Sequence, residues 1–143
     1  MSKGILNTAL NLLARREHSA SELLQKLKQR AFDDHDIQAV IEKLQADNLQ
    51  SDARFAECFI QQRVGAGFGP VKIRYELKQK GVADSLVDEL LASFDDDWMA
   101  CMQQQRIRRF GAAMPTDYAL KMKQARFLQN RGFSPEAVMR LFN

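Results

Sequence analysis

One six-residue pattern recurs three times at a nearly fixed interval, and that interval limits the fold more than any other feature of the chain. Leu77-Lys78-Gln79-Lys80-Gly81-Val82 falls on Leu27-Lys28-Gln29-Arg30-Ala31-Phe32 when shifted back by 50 residues. Shifted forward by 51, it falls on Leu128-Gln129-Asn130-Arg131-Gly132-Phe133. Each copy reads leucine, two polar residues, a cation, a small residue and a large apolar one. Five residues beyond each copy stand Ile37, Val87 and Val138, each opening a further apolar periodic segment. A period of this length marks a tandem array of small units.

The middle copy shows what one unit contains. Gly69 and Pro70 open a helix, since proline has no N–H to waste in a first turn and arrives with helical φ. Ile73 and Leu77 share an apolar stripe with Tyr75 beside it. Gly81 closes the helix, where a left-handed residue is common. The same reading gives nine helices in three triplets, with no segment alternating at the period of a strand. Residues 4–16 form the first helix. Ser19 to Glu22 is a capping box for the second. Asp33 or Asp34 caps the third, which buries Ile37, Val40, Ile41 and Leu44. Ser51 and Asp52 cap the fourth, and the glycines between Val64 and Pro70 form a helix–helix turn rather than a phosphate loop, for no strand precedes and no GK[ST] follows. Asp95, Asp96 and Asp97 charge the start of the helix at Trp98. Trp98, Cys101, Met102 and Ile107 face inward there, and Tyr118, Met122, Ala125 and either Phe127 or Leu128 pack from the next. The expected domains are residues 1–48, 49–94 and 95–143, each too small to be comfortable alone. Together they predict an all-α fold of three tandem three-helix repeats forming an elongated, curved array.

Charge is distributed unevenly. The net charge is +3. Residues 1–50 carry seven Lys/Arg against seven Asp/Glu, residues 51–97 six against nine, and residues 98–143 eight against two. The basic character of the last third suggests an anionic partner surface. Cations also recur on equivalent helices: Lys26, Lys28 and Arg30; Arg74, Lys78 and Lys80; Lys121, Lys123, Arg126 and Arg131, with Arg106, Arg108 and Arg109 before the last group. These are the expected partner-binding residues, arranged as a stripe that tracks phosphates or an acidic groove.

Catalytic chemistry is not announced. His18 precedes a helix cap and His35 lies in an acidic turn, and both read as exposed. Cys58 and Cys101 have no metal-like spacing and read as core or near-core thiols in a reducing compartment. No run approaches the roughly 20 apolar residues of a membrane span. No metal, no cofactor and no catalytic residue is expected, and the chain is placed in the cytoplasm as a monomer.

Three segments resemble the RecX family of bacterial RecA regulators: Asp52-x-Arg54-Phe55-Ala56 with Phe59 and Arg63; Gly69-Pro70-x-x-Ile73-x-x-Glu76-Leu77-x-x-Lys80-Gly81-Val82; and Phe127-Leu128-x-x-Arg131-Gly132-Phe133. The opening, from Ala9 to Ser19, is similar to the family's start, and the likeness runs over essentially the whole length. The resemblance implies a non-enzymatic protein that binds the RecA nucleoprotein filament and inhibits strand exchange, ATPase and coprotease activities, so modulating DNA repair, recombination and the SOS response. It also implies contact with single- or double-stranded DNA. The alternative reading is a helix-turn-helix DNA-binding module. Against it, the third helices of the first two units are acidic on their polar sides, through Glu42 and through Asp84, Asp88 and Glu89.

Overall fold

The computed structural model describes residues 2–94 and 97–143. Among them are nine helices and no strand: α1 (Ser2–Arg15), α2 (Ala20–Lys28), α3 (Asp34–Ala46), α4 (Asp52–Gly65), α5 (Pro70–Gln79), α6 (Asp84–Ala92), α7 (Trp98–Phe110), α8 (Tyr118–Asn130) and α9 (Pro135–Phe142). They form two compact units, Met1–Phe59 with Leu77–Val87 and Ile60–Glu76 with Asp88–Asn143.

In the first unit α1, α2 and α3 enclose a core that includes Ile5, Leu23, Leu27, Ile37 and Leu44. Each buried leucine or isoleucine contributes about 1.5–3 kcal/mol relative to exposure. In the second unit α7, α8 and α9 enclose Met102, Ala125, Leu128, Phe133 and Val138. The repeated leucine, Leu27, Leu77 or Leu128, is fully buried in every copy.

The repeated small residue closes its helix in the left-handed region each time. Ala31 has φ 64, Gly81 φ 81 and Gly132 φ 102. After it, Val82 N–H donates back to Leu77 O at 3.1 Å and Phe133 N–H to Leu128 O at 3.2 Å, which satisfies carbonyls the helix ends leave open. The two glycines are required for a second reason. A Cβ on Gly81 would overlap the Ser21 side chain, and one on Gly132 would overlap Lys72.

Those close approaches belong to a joint made twice. In the first unit the start of α2 meets the end of α5: Ser19 Oγ donates to Lys80 O at 2.7 Å. In the second unit the start of α5 meets the end of α8: Gly69 N–H donates to Arg131 O at 2.8 Å and Val71 N–H to Gly132 O at 2.9 Å. A cap hydroxyl in the first joint and open N–H groups in the second thus meet carbonyls at a helix end, and opposite ends of two helix dipoles face each other.

Local expectations fare unevenly. The capping box at Ser19 and Glu22 is present, as are caps by Asp33, Asp97, Asp117 and Ser134. Asp95 and Asp96 lie outside the described residues. Asp52 does not cap its own helix: its carboxylate accepts from Ala20 N–H at 2.8 Å, at the start of α2, and Ser51 accepts from Arg54 N–H instead. His18 is 1% exposed rather than at the surface. Cys58 is exposed rather than near the core, and Cys101 is half-buried. Tyr75 and Tyr118 face solvent, as does Ile107.

Candidate functional site

The cations expected to meet a partner fall into two groups. The first is already engaged inside the chain. Lys26 Nζ lies 2.9 Å from His18 Nε2. Lys28 pairs with Asp34 at 3.5 Å, both exposed. Arg74 holds Asp88 through two bonds, of 2.6 and 3.3 Å, and this guanidinium keeps the Asp88 carboxyl below its usual range. Lys80 reaches Glu22 at 3.4 Å. Burial raises the Glu22 carboxyl, but its bonds from Arg16 and the Ser19 N–H, with the charges of Arg16 and Lys80, bring it below its ordinary value.

Arg106 is the clearest correction. It is completely buried, with its guanidinium donating to the carbonyls of Gly111, Ala112 and Ala113 and to the amide oxygens of Gln103 and Gln124. It sits four residues after Met102, on the inward stripe that Ile107 was expected to fill. It pins the segment leading into α8 and is not available to a partner.

Arg131 is also a structural group. It donates to Ala66 O at 2.6 Å and Gly67 O at 3.3 Å, closing the end of α4. Its guanidinium lies 4.3 Å from the Phe68 ring centroid, where Arg63 at 3.9 Å and Lys72 at 4.8 Å also gather. Arg63 in turn holds Glu76 through bonds of 2.9 and 2.8 Å. Each cation–ring contact contributes about 0.5–1 kcal/mol. Sequence reasoning missed Phe68 as a hub. The signal was present in Arg63, five residues earlier, because Phe68 N–H returns to the Arg63 carbonyl.

The repeated cation therefore changes meaning. Positions 30, 80 and 131 are equivalent by register. Lys80 and Arg131 serve contacts within their compact units, whereas Arg30 is exposed and its side chain has no hydrogen bond or ion pair among the described residues.

The second group is exposed and without such partners: Arg30, Lys78, Arg108, Arg109, Lys123 and Arg126. Lys121 is half-buried on α8. Lys123 and Arg126 stand on the outer side of α8, away from buried Gln124, Ala125 and Leu128. Arg108 and Arg109 end α7, with Arg109 over the rings of Phe110 and Phe127 at 6.0 and 5.7 Å. This concentration of exposed positive charge on α7 and α8 gives a surface of positive potential. Among the described residues no cluster of His, Cys, Asp and Glu is placed to hold a metal. No described helix is long and apolar enough to cross a membrane.

Three family models match the chain: RecX, first three-helix domain, over residues 6–44; second three-helix domain, over 51–91; and third three-helix domain, over 95–142. The chain is 46% identical over 137 residues to the regulatory protein RecX of Halorhodospira halophila, covering 96% of this chain and 85% of that one. It is 40% identical over 139 residues to that of Pseudomonas entomophila, covering 97% and 90%. A crystal structure of RecX from Lactobacillus salivarius matches the fold with a TM-score of 0.83 at 22% identity, covering 98% of this chain and 93% of that one.

Proposed function

The chain belongs to the RecX family of regulatory proteins, and on that premise we propose that it binds RecA nucleoprotein filaments and inhibits their recombinase, ATPase and coprotease activities. The observation that carries the reading at residue level is the outer face of α8, where Lys123 and Arg126 are exposed with no internal partner. Arg30, Lys78, Arg108 and Arg109 extend the set of available cations. Lys26, Lys28, Arg74 and Lys80 join it only by leaving the partners they now have. The work is binding rather than catalysis, and the protein acts in the cytoplasm as a monomer. The partition into residues 1–48, 49–94 and 95–143 belongs to the same proposal, and each of the three matched segments falls inside one of these ranges.

Several weak contacts from one chain to neighbouring copies in a polymer combine through effective concentration. Filament binding should therefore exceed binding to a free RecA protomer. Co-sedimentation with RecA, on single-stranded DNA and with a slowly hydrolysed nucleotide, tests this. We expect the protein in the pellet with filaments and in the supernatant with RecA alone. Equal partition in both conditions would overturn the filament reading.

A direct DNA-binding role is the second reading, favoured by the same unpaired cations. Its signature is binding to bare duplex that weakens with salt at a slope of about −0.9 per phosphate contacted.

A further inference from the structure

Two open clefts lie side by side within the second compact unit. One, of about 250 Å³, is lined by Arg108, Arg109, Arg131, Gln105 and Phe127. The other, of about 410 Å³, shares Arg108 and Gln105 and adds Gln61, Gln104 and Phe94. No carboxylate among the described residues lines either cleft. Three arginines line the first cleft, and two of them, Arg109 and Arg131, lie 5.7 and 5.9 Å from the Phe127 centroid. Arg131 is already committed to the carbonyls of Ala66 and Gly67. The side chains of Arg108 and Arg109 have no hydrogen bond or ion pair among the described residues. Like charges converging without a counter-charge raise the local potential and favour an anion between them.

We propose that these clefts together bind a nucleoside polyphosphate, with Arg108 and Arg109 on the phosphate chain and the base in the adjoining cleft. Planar guanidinium forks match phosphoryl oxygens with paired N–H donors. The ring of Phe127, in cation–ring contact with Arg109, lines the same cleft. The second cleft supplies what a bare polyphosphate would not use: the amides of Gln61 and Gln104, each with a donor and an acceptor, suited to a base edge. The Phe94 ring, stacked at 5.4 Å on Trp98, offers an aromatic wall.

The test is calorimetric titration of the full chain at low salt with ATP, adenosine and inorganic tripolyphosphate. Saturable binding of ATP is expected, weaker binding of tripolyphosphate, and none of adenosine. The double variant Arg108→Gln with Arg109→Gln should lower ATP affinity at least about tenfold, or 1.4 kcal/mol, with helical content unchanged. Gln104→Ala should weaken ATP and leave tripolyphosphate untouched. No saturable ATP binding, unchanged affinity in the double variant, or equal affinity for ATP and tripolyphosphate would overturn the site. So would an oligonucleotide or an acidic peptide that binds through these arginines when ATP does not. The filament reading also counts Arg108 and Arg109 among its available cations, but ATP titration of the free chain tests the clefts alone, whereas co-sedimentation with RecA tests the filament reading.

Discussion

His18 couples burial to charge at a single ring. Its Nε2 lies 2.9 Å from the Lys26 ammonium, which can only donate, so Nε2 accepts and Nδ1–H donates to Arg16 O at 3.0 Å. Burial lowers its pKa below the ordinary 6.5, and the charges of Arg16 and Lys26 act in the same direction, outweighing the Arg16 carbonyl and Glu22. The unfolded chain then binds more protons than the folded one just below pH 6.5. Stability from this group is complete above about pH 6.5 and is lost as pH falls through the lower folded value. Urea titrations across that window should give falling stability for the wild type and a flatter profile for His18→Gln. A profile unchanged by the substitution would contradict the assignment. Neither His18 nor Arg106 was legible at this scale. A lone histidine before a cap gives no sign of the Gln50 amide that donates to its carbonyl from 32 residues away. Arg106 occupies a core phase behind Met102, where its charge argues for the surface and only the loop carbonyls explain its burial.

Elements were far more legible, because their signals are local. Capping chemistry fixes where α2, α3, α8 and α9 begin, and the recurring left-handed position fixes where α2, α5 and α8 end. Beyond the helix, the pattern misled: recurring cations suggested a stripe, whereas Lys80 and Arg131 are used where elements meet. Sequence repetition reports any repeated constraint, and packing between elements is one of them. The three left-handed positions make a graded prediction. Ala31 is exposed and carries a Cβ in a conformation that costs about 1–2 kcal/mol, so Ala31→Gly should be neutral to stabilising by up to about 1 kcal/mol after the extra unfolded entropy. Gly81→Ala adds the same strain and a clash with Ser21, and should cost more than about 2 kcal/mol. Denaturant midpoints would check the order; equal shifts at both sites would refute it.

For the molecule as a whole, the period near 50 was enough to read three helix triplets, and the three family models fall on the same three stretches. What the chain could not announce was which cations are left over after folding, since that depends on packing with partners as far as 65 residues away, such as Gln105 and Ala66 for Arg131. The charge imbalance of residues 98–143 survives this accounting: after Arg106 and Arg131 are set aside, Lys123 and Arg126 still face outward on α8. The proposed regulatory contact lies on that face. Its most direct test is the steady-state ATPase rate of RecA on single-stranded DNA, titrated with the wild type and with the double variant Lys123→Glu, Arg126→Glu. The account predicts that the variant keeps its helicity and melting temperature and needs at least about tenfold more protein for half-inhibition, a loss of about 1.4 kcal/mol. Inhibition by the variant at wild-type concentrations would contradict it.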